Sequence, residues 1–338
     1  MFSRADWDLR PERMHEGARF AFLAPVLGQL GIERHSASAW AAAGSGALEL
    51  VGGPQDAEVV ALPAHYDVVP EAAVREAAAT AERAGCTLLL FGHTDHYRPP
   101  AAVAPRTLLF HSDLRRSKAK PYERSHPTPL VYEMEPAHVL EGHTWEPHPF
   151  EPRPKVFWRG AGHLGGLPPH KQLGFRAMRN WRLIRLRTAR ALVTAAEVRF
   201  DSAFSGGWWQ LGPEERLASR RAFLQDALAS PYGLVVRGSG NYSFRLYELM
   251  ALGRIPLVVD TDSVLPWPER IPWEEISVRV PYRSVRRIGP LLHAFHRRFA
   301  ADPAAFAALQ ERIRSLWTAH LSEVGFYRTV CEQLRAEL

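Results

Sequence analysis

Runs of consecutive apolar residues alternate with helical patterns in the first half of the chain. An alanine-rich segment at 70–84 predicts a helix that Gly85 closes. Continuous apolar strands separated by helices favour a parallel sheet covered on both faces. The predicted strands lie at 58–63, 87–91 and 106–110.

The same pattern restarts after residues 145–154. This stretch holds four prolines, which cannot continue a helix or a central strand, so we predict a domain boundary near residue 150. The expected fold is α/β, with Rossmann-like domains at 1–150 and 151–338 whose parallel sheets face each other across a ligand-binding cleft. Predicted strands of the second half lie at 155–160, 233–237 and 255–259, and helices near 176–194, at 214–229 and at 243–252, with Gly253 as C-cap.

Length and composition agree with a two-domain globular protein. The chain has 338 residues, of which 46% are hydrophobic and 23% are charged. Its two cysteines, Cys86 and Cys331, lie far apart, which excludes a disulfide framework or a cysteine-rich zinc site and favours a reducing compartment. No apolar run of transmembrane length and no signal peptide are recognised, so the sequence predicts a cytoplasmic protein.

Positive charge is concentrated in the second half. The chain has a formal net charge of +6, and residues 153–260 contain 17 Lys and Arg against 7 Asp and Glu. A positive domain beside a slightly negative one indicates an anionic ligand held in one half. No basic run and no nucleic-acid motif accompany the charge, so a nucleic-acid partner is not predicted.

One strand–loop–helix segment has the residues that a diphosphate site needs. Gly238 and Gly240 follow Arg237 at the end of a strand and allow close backbone approach. Ser243 can cap the next helix, whose first turn presents N–H groups and a positive dipole end. An ordinary strand–turn–helix connection remains the alternative, since no Walker A motif, G-x-G-x-x-G motif or nucleophile elbow occurs.

Arg245 and Glu248 stand three residues apart on this predicted helix. They therefore share one helix face, with the carboxylate about one turn deeper than the loop. Such a carboxylate can bind ribose or sugar hydroxyls, whereas a surface ion pair is the alternative. Asp260 and Asp262 spell D-x-D, which we interpret as a strand-end turn and not as a metal site.

The segment resembles the exostosin family, glycosyltransferase family 47, and most of all its bacterial members. The resemblance is carried by residues 237–248, 252–256 and 260–266, with fainter similarity at 57–63, 157–160 and 221–224. It implies a GT-B fold and inverting transfer from a UDP-sugar without a required metal or other cofactor. The donor-binding residues so implied are Arg159, Arg221, Arg237, Gly238, Ser239, Gly240, Asn241, Ser243, Arg245 and Glu248, although Arg159 and Arg221 can equally form salt bridges.

Inverting transfer needs a general base to take the proton of the acceptor hydroxyl. Asp95 and His93 follow a predicted strand and therefore lie at the carboxyl edge of its sheet, where ligands bind. Asp95 is the first candidate and His93 the second, and Asp113, after the next strand, is nearly as good. A loop histidine satisfied by its neighbours is the alternative for His93.

The sequence thus predicts a glycosyltransferase that moves a hexosyl or glycuronosyl group from a UDP-sugar to a glycan or lipid-linked acceptor in bacterial polysaccharide synthesis. Its partners would be the nucleotide-sugar and the acceptor, with peripheral contact with the inner membrane left open. A non-catalytic sugar-nucleotide or glycan-binding protein of the same fold is the alternative.

Overall fold

The protein is described by a computed structural model that covers residues 51–62, 64–126, 145–159, 188, 190–192, 196–201, 212–238 and 240–337. Within these ranges the chain forms two parallel β-sheets with helices, so the predicted α/β class is confirmed. The GT-B-like arrangement of two domains across a cleft stays a prediction.

The first sheet has four parallel strands in the order β1-β2-β3-β4. Helix α1, Glu71–Ala84, packs on β1 and β2 and ends at Gly85, whose φ of 67° is left-handed. Three of the strands match the predicted apolar runs, whereas β4 is polar in sequence and was not predicted. The strands are β1 (Val59–Ala61), β2 (Thr87–Gly92), β3 (Thr107–His111) and β4 (Glu123–Ser125).

The second sheet has five parallel strands in the order β6-β5-β7-β8-β9. The predicted strands at β5, β7 and β8 are confirmed, and β6 and β9 are additional. Most of the helix predicted near 176–194 lies outside the described residues. The strands are β5 (Lys155–Arg159), β6 (Glu197–Asp201), β7 (Tyr232–Val235), β8 (Ile255–Asp260) and β9 (Val278–Pro281).

Helices connect and follow these strands. The two helices predicted at 214–229 and 243–252 are confirmed as α2 and α3, which pack on β5 and on β7 and β8, respectively. The helices are α2 (Pro213–Leu228), α3 (Phe244–Ala251), α4 (Trp273–Ile276), α5 (Ile288–His296), α6 (Pro303–His320) and α7 (Glu323–Glu337), with 3₁₀ turns at Pro54–Asp56, Tyr282–Arg287 and Arg297–Phe299.

Contacts within the chain divide it into two compact units. The first contains the described residues before position 133 together with Ser263–Pro268 and Thr318–Leu338, and the second contains the remainder. This division differs from a single boundary near residue 150 because Phe110 of β3 packs against Trp267 and Phe326, with ring centroids 5.6 and 5.9 Å away. The assignment of the two halves to acceptor and donor stays a prediction.

A buried arginine fixes the end of α3 in the second unit. Arg254 is 1% exposed and donates hydrogen bonds to Gln310 Oε1 at 2.8 Å and to the Glu146 carbonyl at 3.2 Å. Burial lowers the pKa of Arg254 to about 10. Trp145 Nε1 donates to the Leu252 carbonyl at 2.8 Å, so the proline-rich stretch holds the C-terminal end of the same helix.

Close packing at the start of α7 provides a test of the first unit. A Cβ on Gly325 would lie 2.3 Å from the Thr318 carbonyl oxygen and 2.6 Å from the Ala319 carbonyl carbon. Because these are backbone atoms, we expect Gly325→Ala to lower the free energy of unfolding by about 1–3 kcal/mol in urea denaturation. Gly52→Ala is the matched control, since nothing lies within 4 Å of its added Cβ. Equal stability of the two variants would contradict the packing described here.

Candidate functional site

Hydrogen bonds stabilise the glycine loop between β7 and α3. The Gly238 N–H donates to the Tyr242 carbonyl at 3.0 Å. Asn241 is 1% exposed, and its Oδ1 accepts hydrogen bonds from Thr261 Oγ1 at 2.8 Å and from an Arg237 Nη at 3.4 Å. The side chain of Asn241 therefore holds the loop to the residue after β8.

The loop leaves room in front of Gly238. A Cβ added there would meet no atom within 4 Å, so packing does not require glycine at this position. Ser243 stands at the N-cap of α3 with φ −146° and ψ 124°, but its side chain makes no capping hydrogen bond. The first-turn N–H groups are thus not capped by the residue that was predicted to cap them.

Glu248 and Arg245 meet on α3, as their spacing predicts. Arg245 Nη1 lies 2.5 Å from Glu248 Oε2, and Arg220 of α2 donates to Glu248 Oε1 at 3.3 Å. The three side chains are only 12–21% exposed, so this is a largely buried ion cluster and not a surface pair. The guanidinium of Arg245 also lies 3.9 Å from the ring centroid of Phe223.

Arg159 joins this cluster from the end of β5. Its carbonyl accepts a hydrogen bond from Arg245 Nη2 at 2.8 Å, and its Nη1 donates to Asp226 Oδ2 at 3.2 Å. Burial lowers the pKa of Arg245, and Arg220 and Arg159 lower it further while Glu248 raises it. The cluster therefore brings together three arginines and two carboxylates from β5, α2 and α3.

The remaining predicted donor residues are placed less centrally. Arg221 is exposed on α2, Gly240 is buried in the loop, and Ser239 lies outside the described residues. Arg220 and Asp226 were not selected from the sequence. A spacing of three along α2 brings Arg220, Phe223 and Asp226 to one side of the helix, a signal that could have identified them.

The D-x-D sequence after β8 forms a turn. Asp260 Oδ1 accepts the Asp262 N–H at 2.8 Å, and its Oδ2 lies 2.9 Å from Arg279 Nη2. Asp262 has a φ of 70°. In the part of the chain that the structure describes, no group of three or more His, Cys, Asp and Glu side chains could hold a metal ion.

In the first unit, a histidine follows or ends each of the four strands. The rings of His65, His93 and His126 contact one another at the carboxyl edge of the sheet, with centroid separations of 5.7 to 5.9 Å. Burial lowers the pKa of the last of them, His126, well below its usual value, and the neighbouring histidines lower it further. His111, at the end of β3, completes this histidine cluster, because its proximity lowers the pKa of both His93 and His126.

Asp67 ties the loops of this edge together. Its Oδ2 accepts the backbone N–H groups of His93 and Thr94, both at 2.9 Å, and lies 3.4 Å from His111 Nε2. His111 Nδ1 accepts the Asp113 N–H at 2.9 Å, so the ring proton belongs on Nε2, facing Asp67. Sequence reasoning missed Asp67, although its position shortly after β1 places it at the same sheet edge.

The three predicted base candidates differ in their surroundings. Asp95 is exposed, His93 is partly exposed, and Asp113 is 8% exposed. Asp113 Oδ2 accepts the Tyr97 N–H at 3.0 Å, and Ser112 Oγ lies 3.4 Å from His93 Nδ1. The structure therefore gathers all three near one edge of the sheet, together with Asp67.

Burial and hydrogen bonds shift the pKa values of Asp67 and His93, and both values end below their usual ranges. Burial by itself would raise the pKa of Asp67, but hydrogen bonds from His111, Thr94 and His93 outweigh it and hold this pKa well below its usual range. Burial lowers the pKa of His93 to about 4, against the opposite effect of the carboxylates of Asp67 and Asp95. At neutral pH the site thus contains an ionised carboxylate beside a neutral imidazole.

Two of the similar curated proteins reported below are named as glycosyltransferases, and a third is named as an exostosin. A probable glucuronosyltransferase of Oryza sativa subsp. japonica is 36% identical over 70 residues, which are 21% of this chain and 17% of the relative. A probable beta-1,4-xylosyltransferase of Arabidopsis thaliana is 34% identical over 21% of this chain and 17% of the relative. The exostosin-1 homolog of Caenorhabditis elegans is 30% identical over 95 residues, 28% of this chain and 23% of the relative.

These relatives support a glycosyltransferase, and they include an exostosin, as the motif predicted. The matched segments span less than a quarter of each relative, and no family model matches the chain. The affiliation with bacterial exostosins stays a prediction. Among the described residues, no helix is both long and apolar enough to cross a bilayer.

The histidine cluster should make stability depend on pH. His93 is protonated in the unfolded chain below about pH 6.5 but in the folded chain only near pH 4, so the free energy of unfolding should fall as pH drops through this window. A shift of this size corresponds to at most about 3 kcal/mol, and the partial exposure of the ring reduces the effect. Asp67 adds a further loss below its ordinary pKa of 3.8.

Urea denaturation at several pH values checks this prediction. His93→Gln should flatten the dependence between pH 6.5 and 4, whereas His96→Gln should keep the wild-type profile because His96 is exposed. A wild-type stability that is constant over this range would show that the neutral histidine is not required for the fold.

Proposed function

We propose that the protein transfers a sugar from a UDP-sugar to a hydroxyl group of a glycan or lipid-linked acceptor, with inversion and without a metal, in bacterial polysaccharide synthesis. The observation that carries the proposal is the exostosin-like segment 237–256, which forms the loop and helix between the parallel strands β7 and β8. A loop at this position in an α/β sheet is a common place for a nucleotide.

A diphosphate suits this loop for reasons of charge and space. Gly238 leaves open space before the N-terminal end of α3, where a helix attracts anions. Arg159, Arg220 and Arg245 supply positive charge beside α3, in ion pairs with Asp226 and Glu248. Negative charge grows on UDP as it departs, so these fixed positive groups would act most strongly in the transition state.

The acceptor hydroxyl would be activated in the first unit. Its oxygen attacks the anomeric carbon, the bond from that carbon to UDP breaks, and a base removes the hydroxyl proton. The candidates are Asp95, His93 and Asp113, which lie at the carboxyl edge of the first sheet. The similar proteins include a probable glucuronosyltransferase and a probable xylosyltransferase, so UDP-glucuronate and UDP-xylose are the first donors to consider.

The proposal is tested by UDP release from UDP-glucuronate, UDP-xylose and UDP-glucose with a panel of oligosaccharide and lipid-linked acceptors. We expect release to require an acceptor. Failure with every donor, by protein shown to be folded, would contradict the proposal.

Two variants locate the donor site. Gly238→Ala should leave stability unchanged but lower kcat/KM about tenfold or more, because the methyl group would occupy the approach of the diphosphate. Arg237→Ala should lower kcat about tenfold or more through loss of charge near the leaving group. Arg312→Ala is the control, since this exposed arginine pairs with Glu275 on the surface. Full turnover by both loop variants would place the donor elsewhere.

A non-catalytic sugar-nucleotide-binding protein is the second candidate. The observation in its favour is that Arg159 and Arg245 are already paired with Asp226 and Glu248, so less of their charge is available to a departing diphosphate. Calorimetry distinguishes the two candidates. Binding of UDP-sugars without turnover across the acceptor panel would favour the binding protein.

A further inference from the structure

Of the four clustered histidines, only His93 is accessible in the described residues. His65, His111 and His126 are 1%, 0% and 3% exposed, whereas His93 is partly exposed. A general base must reach the proton that it removes, so the three buried rings are unsuitable. His111 is further excluded because its Nδ1 accepts the Asp113 N–H and its Nε2 faces Asp67 Oδ2 at 3.4 Å.

The surroundings of His93 have the features of a supported base. Ser112 Oγ lies 3.4 Å from its Nδ1, and a proton placed there leaves the lone pair on Nε2. Asp67 Oδ2 holds the backbone N–H groups of His93 and Thr94, which fixes the loop that carries the ring. Nucleophile and base groups are commonly oriented by a third residue in this way.

Asp67 also supplies charge to the cluster. Its side chain is 3% exposed, so its field is poorly screened by water. An imidazolium formed on His93 would be opposed by burial and by His111 and stabilised by the carboxylates of Asp67 and Asp95. The titratable groups that surround His93 are His65 and Asp67 after β1, Asp95 in its own loop, His111 at the end of β3 and His126 after β4.

We propose that His93 is the general base of the reaction and that Asp67 and Ser112 are its positioning residues. The assignment rests on the proposed glycosyl transfer. His93 Nε2 takes the proton of the acceptor hydroxyl while the acceptor oxygen forms its bond to the anomeric carbon. The bond from that carbon to UDP breaks with its electron pair leaving on UDP, and the imidazolium then returns its proton to water.

The exposed carboxylate of Asp95 is the competing candidate, and Asp113 is the third. Asp113 is 8% exposed and already accepts the Tyr97 N–H, which leaves it less accessible to an acceptor. If His93 is the base, Asp95→Asn should lower kcat much less than His93→Ala does. The reverse order would overturn the assignment to His93.

A double-mutant cycle tests whether Asp67 acts through His93. His93→Ala should lower kcat by about 10²–10⁴-fold. Asp67→Asn, which keeps an oxygen for the two amide groups but removes the charge, should lower kcat about tenfold or more with the donor KM unchanged. In the His93→Ala background the same change should cost less than about twofold, because its target is absent. Additive losses would show that Asp67 has only a structural role.

Added imidazole distinguishes a catalytic role of His93 from a structural one, because it can replace a missing base but cannot repair a damaged fold. It should restore part of the turnover of His93→Ala, and the restored rate should rise as the imidazole loses its proton. Absence of rescue in folded His93→Ala would contradict the assignment. His93→Gln provides a second variant if His93→Ala does not fold, with kcat as its readout.

Controls separate the base assignment from the proposed function. Asp56→Asn and His96→Gln make the same chemical changes at exposed positions and should keep wild-type kcat. UDP binding by every variant, measured by calorimetry, should match wild type, because the substituted residues belong to the first unit and the proposed donor-binding residues to the second. If wild type itself turns over no donor, the glycosyl transfer is contradicted; if wild type is active and His93→Ala keeps full kcat, only the base assignment is overturned.

Discussion

The direction of the strands is the constraint on which both candidate sites depend. All strands within each described sheet run parallel, so the segments that follow them emerge at one edge. In the first unit this brings four histidines and Asp67 together from loops that are far apart in sequence. In the second it brings the end of β5 beside the helix that follows β7, where Arg159 meets Arg245.

Buried charge in this protein is compensated locally. Asp67 is stabilised by two backbone N–H groups and a histidine, and Glu248 by two arginines. Removing any one partner would leave a charge with little access to water, which costs far more than a surface pair contributes. An anion entering near α3 would therefore compete with Asp226 and Glu248 for arginines that are already ordered.

The sequence identified the parts of the fold that have strong local signals. Apolar runs predicted β1, β2 and β3, and glycines marked the ends of α1 and α3. It missed β4, whose residues Glu123, Arg124 and Ser125 form a strand only through pairing with β3. That Ser263–Pro268 belongs to the first unit was likewise not predicted, because this depends on tertiary packing.

In the candidate site, too, local sequence patterns predicted some residues and missed others. The spacing of Arg245 and Glu248 correctly indicated a shared helix face, and the carboxyl-edge rule correctly grouped His93 with Asp113. Their supporting residues Arg220 and Asp67 escaped because neither belongs to a recognisable motif. Such partners are defined by the three-dimensional arrangement of elements, which periodicity does not reveal.

The first unit includes residues 263–268 and the last helix, and this limits where the protein can be cut into stable fragments. Trp267 and Phe326 cover Phe110, yet they lie more than 150 residues after it in sequence. A fragment ending at residue 150 would expose one side of its central strand to solvent and would be prone to aggregation. Independent production of the two units would instead require a rearranged gene that joins the last helix and residues 263–268 to the amino-terminal segment.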